Sequence, residues 1–230
     1  MKSSKNIAFF VLFQMLFFAT TANATFLRFW RGFPKSEVSV EQFEDGLNQI
    51  FLPATAALAK TPAHLISYQP LLMPTELLQN ENFPIELALV EYASEAEYRA
   101  YRDTVQGQAY SNLHWDYFDK SASKSTVPIS FQGTLENDKA YLIGTDIDWN
   151  AGPTFFYVFP NDEETQRILP RDLVALQRNG FKGVVLSGPT YVMIYAKSFL
   201  TPALSRRLLW ETKLRRGTTL SYGSGVQYPL

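Results

Sequence analysis

The stretch SNLHWDYFD, Ser111 to Asp119, places a histidine, an asparagine, two aspartates and three aromatics within nine residues of a chain that has two histidines in all. A histidine beside a carboxylate can move a proton near neutral pH, so this stretch is the first place to look for acid–base chemistry. Its phasing decides what it can do. A capping box, Ser94 with Glu97, predicts a helix start, and Tyr98, Tyr101, Val105 and Ala109 then form one apolar stripe. On a straight helix turning about 100° per residue, His114 falls nearly opposite that stripe, whereas Asn112 and Asp116 fall closer to it. The expectation is a dispensable surface histidine, with Asn112 and Asp116 as the inward polar groups; a helix break at Gly107 would void that phasing.

The other chemistry-bearing residues are sparser. His64 follows KTPA, where a helix gives way to a strand, and reads as a surface or capping residue. GTDIDWNAG sets Asp146, Asp148 and Asn150 at alternate positions, like the start of a calcium loop. The match fails beyond them, because glycine comes one place late at Gly152 and the twelfth position is Tyr157 instead of a bidentate glutamate. A turn is expected there. Glu91, Glu95 and Glu97 are accounted for by the start of the helix. The chain has no cysteine, which removes thiolate nucleophiles, disulfides and cysteine metal sites. No metal site is expected, and signatures for serine hydrolases, phosphate loops and dinucleotide binding are absent.

The first residues point to export. Lys2 and Lys5 form a basic start, Ile7 to Phe18 is apolar apart from Gln14, and Ala22-Asn23-Ala24 fits the cleavage rule. An apolar run of about 12 residues is short for a span that needs roughly 20. Residues 1–24 are therefore expected to be a signal peptide cleaved after Ala24, an uncleaved anchor being the alternative. The absence of cysteine excludes a lipid anchor attached there, leaving a periplasmic or secreted protein with no stable membrane span. Without residues 1–24 the chain keeps 19 basic against 22 acidic side chains, which disfavours nucleic acid as a partner.

The elements that must position these residues read as one order used twice. TFLRFWRGF is a strand interrupted by Arg28 and Arg31. Ser39 with Gln42 caps a helix through Phe43, Leu47, Ile50, Ala54 and Leu58 that Pro53 should kink. HLISYQPLLM and PIELALVEYA are strands, and the Ser94 helix closes the first half, residues 25–120. After a polar joint, residues 121–152, come the strand PTFFYVFP and the helix ETQRILPRDLVALQRNG, with Pro170 expected in its first turn and Gly180 at its C-terminus. FKGVVLS and YVMIYAKSF are strands around Gly188-Pro189. A last helix is expected from Thr201 to Gly217, ending the second half, residues 153–217, before a tail at 218–230.

Strand, helix, strand, strand, helix is most of a ferredoxin-like unit, an antiparallel sheet with its helices on one face. Two such α+β repeats in one chain resemble the dimeric α/β-barrel superfamily in its fused form. That resemblance implies sheets packed as a barrel with helices outside. The superfamily's haem-binding branches, the chlorite dismutases and dye-decolourising peroxidases, hold iron through a histidine of the C-terminal repeat; here His64 and His114 both lie in the first. Its small haem-degrading monooxygenases use an asparagine, a tryptophan and a histidine from different elements, whereas Asn112, Trp115 and His114 crowd onto one helix. No cofactor is expected.

Strand and helix placement nominates Arg28, Trp30, Tyr68, Tyr92, Asn112 and Asp116 to line a pocket between sheet and helices, with an apolar or aromatic small molecule as partner. The leading expectation is a small-molecule-binding or non-catalytic envelope protein. The resemblance implies an alternative, a cofactor-independent monooxygenase acting on an aromatic molecule. A third reading rests on Arg206, Arg207, Lys213, Arg215 and Arg216, which would present a basic helix face to an anionic envelope component.

Overall fold

Alternation along the strand β1 (Phe26–Gly32) organises the first half: Phe26 and Trp30 turn to one side of the sheet, Leu27 and Phe29 to the other. The computed structural model describes residues 25–78, 83–198, 200, 208–214, 219–221 and 227–229. Residues 1–24, expected to be a signal peptide, and Arg206, Arg207, Arg215 and Arg216 lie outside the described residues.

β1 pairs antiparallel with β3 (Glu86–Tyr92), and β3 with β2 (Leu65–Leu72), while the short β4 (Lys124–Thr126) closes the other edge. The order β2-β3-β1-β4 is that of a ferredoxin-like sheet. α1 (Val40–Gly46) begins with the expected box, Ser39 Oγ accepting from Gln42 N and Gln42 Oε1 from Ser39 N. Pro53 enters the first turn of α2 (Leu52–Ala57) just after a π-helical turn at Leu47–Phe51, so the helix is divided where the proline demands it. A single turn, α3 (Thr75–Leu78), follows β2.

The helix expected to run through His114 is two helices. α4 (Glu95–Arg102) stops at Asp103, and α5 (Val105–Tyr117) restarts with Thr104 Oγ1 accepting from Gly107 N at 3.0 Å. Gly107 lets the two ends touch, since a Cβ there would lie 2.1 Å from the Tyr101 carbonyl oxygen. The restart resets the phase: Val105 is 80% exposed and Ala109 is exposed, so the stripe drawn through them does not exist.

The second half repeats the plan. β7 (Thr154–Pro160), β8 (Gly183–Ser187) and β9 (Tyr191–Ala196), with α6 (Glu163–Arg178) between the first two, join β5 (Ile129–Ser130), β6 (Lys139–Ile143) and β10 (Trp210–Leu214) in a sheet ordered β10-β7-β9-β8-β6-β5. Asp162 caps α6 by accepting from Thr165 N at 2.8 Å, which moves the start ahead of the expected position and leaves Pro170 buried inside the helix instead of in its first turn. Gly180 ends it at φ +80°. The last helix is corrected as well, because Trp210–Leu214 is the strand β10, paired antiparallel with β7. Lys213 therefore sits on a sheet edge, and the continuous basic helix face is lost. Residues 121–152 carry β4, β5 (Ile129–Ser130) and β6 (Lys139–Ile143), the last joined antiparallel to β8. In the tail, β11 (Thr219–Ser221) pairs with β12 (Gln227–Pro229).

The two sheets lie face to face. Phe29, Leu71, Leu87 and Leu89 of the first meet Phe156, Val158, Val184, Leu186, Met193 and Tyr195 of the second, all buried. On the outer faces, α1, α2 and α5 cover the first sheet and α6 the second. The result is helix, sheet, sheet, helix: a barrel-like α+β unit of two ferredoxin-like repeats. Each such side chain taken from water contributes on the order of 2 kcal/mol, so the shared face is a major part of what holds the halves.

Candidate functional site

Between the outer face of the first sheet and the helices α2, α4 and α5 lies a cavity of about 280 Å³. Its floor is the side of β3 that carries Glu86, Ala88, Val90 and Tyr92 at alternate positions, flanked by Arg28 and Trp30 of β1 and Tyr68 of β2. Phe51 and Thr55 come from α2 and the turn before it, Tyr98 and Tyr101 from α4, and Tyr110, His114 and Trp115 from α5. Four of the six nominated pocket residues, Arg28, Trp30, Tyr68 and Tyr92, border this space. Asn112 and Asp116 do not; both are exposed on α5, because the helix restart turns them outward.

The same restart brings His114 in. Its ring meets Phe51 edge-on at 4.6 Å and Trp30 and Tyr110 at 5.0 Å. Nδ1 lies 3.2 Å from the Tyr110 carbonyl oxygen, and since a carbonyl only accepts, Nδ1 carries the proton and Nε2 the lone pair. Burial lowers the pKa from 6.5 to about 4, with Arg28 adding to the effect, so the ring is neutral at ordinary pH. The expected surface histidine is a cavity wall.

A consequence follows for acid stability. The unfolded chain protonates His114 from about pH 6.5 downward while the folded one resists until about pH 4, so stability is lost across that window. His114→Phe keeps the aromatic wall and should remove on the order of 2 kcal/mol of that acid destabilisation. Circular dichroism during acid titration would then show a lower unfolding midpoint than wild type; an unchanged midpoint would place the imidazole in water.

Glu86 was not singled out by residue type, and it is the most perturbed acid of the site. It is fully buried, Oε2 accepting from Trp30 Nε1 at 2.9 Å and Oε1 from the Tyr68 hydroxyl at 3.2 Å. Burial raises its pKa from 4.5 to about 8 against the lowering effect of those two bonds, so it holds its proton at neutrality. The available signal was an acid inside PIELALVEYA, a strand otherwise apolar enough to be buried on both faces. At the other end, Arg28 donates to the Tyr98 hydroxyl and its guanidinium stands 4.6 Å from the Tyr98 ring centre. Thr55 and Tyr110 share a hydroxyl–hydroxyl bond of 2.7 Å, and burial pushes the Tyr110 phenol well up.

The remaining candidates stand apart. His64 is exposed at φ +47°, its Nδ1 3.0 Å from Glu97 Oε1. Asp148 Oδ1 accepts from Asn150 N and Ala151 N, making the expected turn, and Trp149 between them is buried in the sheet interface. Among the described residues no group of three or more histidines, aspartates and glutamates could hold a metal, and no helix is long and apolar enough to cross a membrane.

No family profile matches the sequence, and neither does any curated protein. The chain is similar to solved structures at low identity. One is a dimeric protein of ferredoxin-like fold and unknown function from Bacteroides fragilis, 15% identical over 45% of this chain and 95% of that one, TM-score 0.35. Others are proposed monooxygenases from Lactobacillus acidophilus, 7% identical over 83% of this chain and 92% of that one, TM-score 0.39, and from Fusobacterium nucleatum, 8% identical over 90% and 99%, TM-score 0.40.

Proposed function

We propose that the protein is exported and that its cavity binds a planar aromatic small molecule. The observation that supports this reading is the wall itself: Trp30, Phe51, Tyr68, Tyr92, Tyr98, Tyr101, Tyr110, His114 and Trp115 surround about 280 Å³, with a few polar groups converging on it. Apolar walls with sparse, placed polar groups are the usual make-up of a small-molecule site, and this volume suits one or two fused rings. Titration with 2-naphthol tests it. Binding should quench tryptophan fluorescence saturably, through Trp30 and Trp115, and Ser111→Trp, which fills the cavity from α5, should abolish it. Quenching that never saturates, or that survives Ser111→Trp in a folded variant, would reject the site.

Catalysis on the same ligand is the second reading, favoured by the Nε2 lone pair of His114. A histidine with a pKa near 4 is a weak base at neutrality, so binding without turnover is preferred. Oxygen uptake by the loaded protein would reverse that preference.

Export has its own measurement. The mature protein should begin at Thr25, because small residues precede that bond and the apolar run is short. N-terminal sequencing of envelope material decides this; a full-length, membrane-retained chain would contradict it.

A further inference from the structure

We infer that the cavity selects an aromatic carboxylate bearing a second, neutral oxygen at its far end, the carboxylate meeting Arg28 and the neutral oxygen meeting Glu86. This deepens the aromatic-ligand reading and rests on it.

The distribution of charge carries the first half of the inference. The cavity is bordered by three cationic side chains, Arg28, Arg102 and Lys124, and one acidic side chain, Glu86. Two of the cations are engaged elsewhere: Arg102 with Asp103 at 3.3 Å, and Lys124 with Asp138 at 3.2 Å. Arg28 makes no ion pair among the described residues, and its known bonds leave most of its five donors uncommitted. A half-buried guanidinium whose cavity holds its one carboxyl group four residues away along β3 is matched by an anion, and it engages a carboxylate through two parallel bonds.

Glu86 carries the second half. Trp30 can only donate to it, while the Tyr68 hydroxyl can give or take a hydrogen, so a protonated Glu86 can donate either to Tyr68 or to an acceptor oxygen on a ligand beside it. A second anion at that end would be repelled once the carboxyl ionised, whereas a hydroxyl or carbonyl oxygen is not. The register sets the separation. Arg28 lies opposite Val90, four residues along β3 from Glu86, or roughly 13 Å between backbone positions. Ala88, between them on the same side, leaves open the space over which a ring would lie. Two fused rings with a polar group at each end fit that spacing once both side chains reach inward.

Three probes separate the parts: 6-hydroxy-2-naphthoic acid, 2-naphthoic acid and 2-naphthol, titrated against wild type, Arg28→Gln, Arg28→Lys, Glu86→Leu and Glu86→Gln. In wild type the hydroxy acid should bind tightest, and each probe lacking one group about tenfold more weakly, roughly the worth of one hydrogen bond. Arg28→Gln should erase the advantage of 6-hydroxy-2-naphthoic acid over 2-naphthol, while Arg28→Lys retains part of it. Glu86→Leu should erase the advantage of the hydroxyl, and Glu86→Gln should keep it. A hydroxy acid that binds wild type no tighter than 2-naphthol or than 2-naphthoic acid, or an Arg28→Gln loss shared by all three probes, would overturn the inference while leaving the aromatic pocket standing. Failure of all three probes to bind would overturn the pocket reading and this inference together.

Discussion

Severed between β4 and β5, the chain should yield two halves that cannot live apart. Residues 25–127 carry the face of Phe29, Leu71, Leu87 and Leu89, and residues 128–230 the face of Phe156, Val158, Val184, Leu186, Met193 and Tyr195. Each face is continuous, and the long helices, α1, α2 and α5 in one half and α6 in the other, cover only the opposite side. Exposed alone, either would present an apolar patch well above the few hundred Å² that soluble monomers carry. A polar tie crosses the cut too, since buried Arg31 of β1 bonds Asp138 at 2.8 Å. Expressed separately, the halves should be insoluble or aggregated; expressed together, they should copurify as a one-to-one complex by size exclusion. Two soluble monomers, each melting cooperatively, would show that the shared face is dispensable.

Glu86→Gln should stabilise the protein at and above neutral pH and lose that advantage below about pH 4.5. The sign follows from where the proton sits. Between the ordinary glutamate pKa of 4.5 and the folded value of about 8, the unfolded chain releases a proton that the folded chain keeps. Stability then falls by about 1.4 kcal/mol for each pH unit, or about 3 kcal/mol by pH 7, and flattens above pH 8. Glutamine removes the titration and keeps an acceptor for one of the two donors, Trp30 or Tyr68, at a cost of about 1 kcal/mol for the rearranged second bond. The net gain should be about 2 kcal/mol at pH 7 and larger at pH 8.5. Urea unfolding of both proteins at pH 4.5, 7 and 8.5 reads this directly; parallel pH dependences would place Glu86 in contact with water.

The sequence alone determined the strands β1, β2, β3, β7, β8 and β9, the helix caps at Ser39 and Ser94 and the apolar double face of FFYVF and VMIYA, because those are local patterns in which spacing of two or 3.6 residues reports burial directly. It also placed Arg28, Trp30, Tyr68 and Tyr92 on the helix side of one sheet, since strand alternation survives without knowledge of the neighbours. What the tertiary structure decided was the site's polar chemistry. A break at Asp103 and a restart at Thr104 rotate everything downstream, so His114 enters the cavity and Asn112 and Asp116 leave it; phase along a helix is only as good as the assumption that the helix is unbroken. The end of the chain shows the same limit, because a helical spacing of leucines in residues 201–217 said nothing of the open edge of β7 that draws Trp210–Leu214 into a strand. Glu86 was visible only as an acid in an apolar strand. Its partners stand 56 positions before it and 18 before it in the chain, and a buried carboxyl takes its charge state from such neighbours, which folding alone brings together.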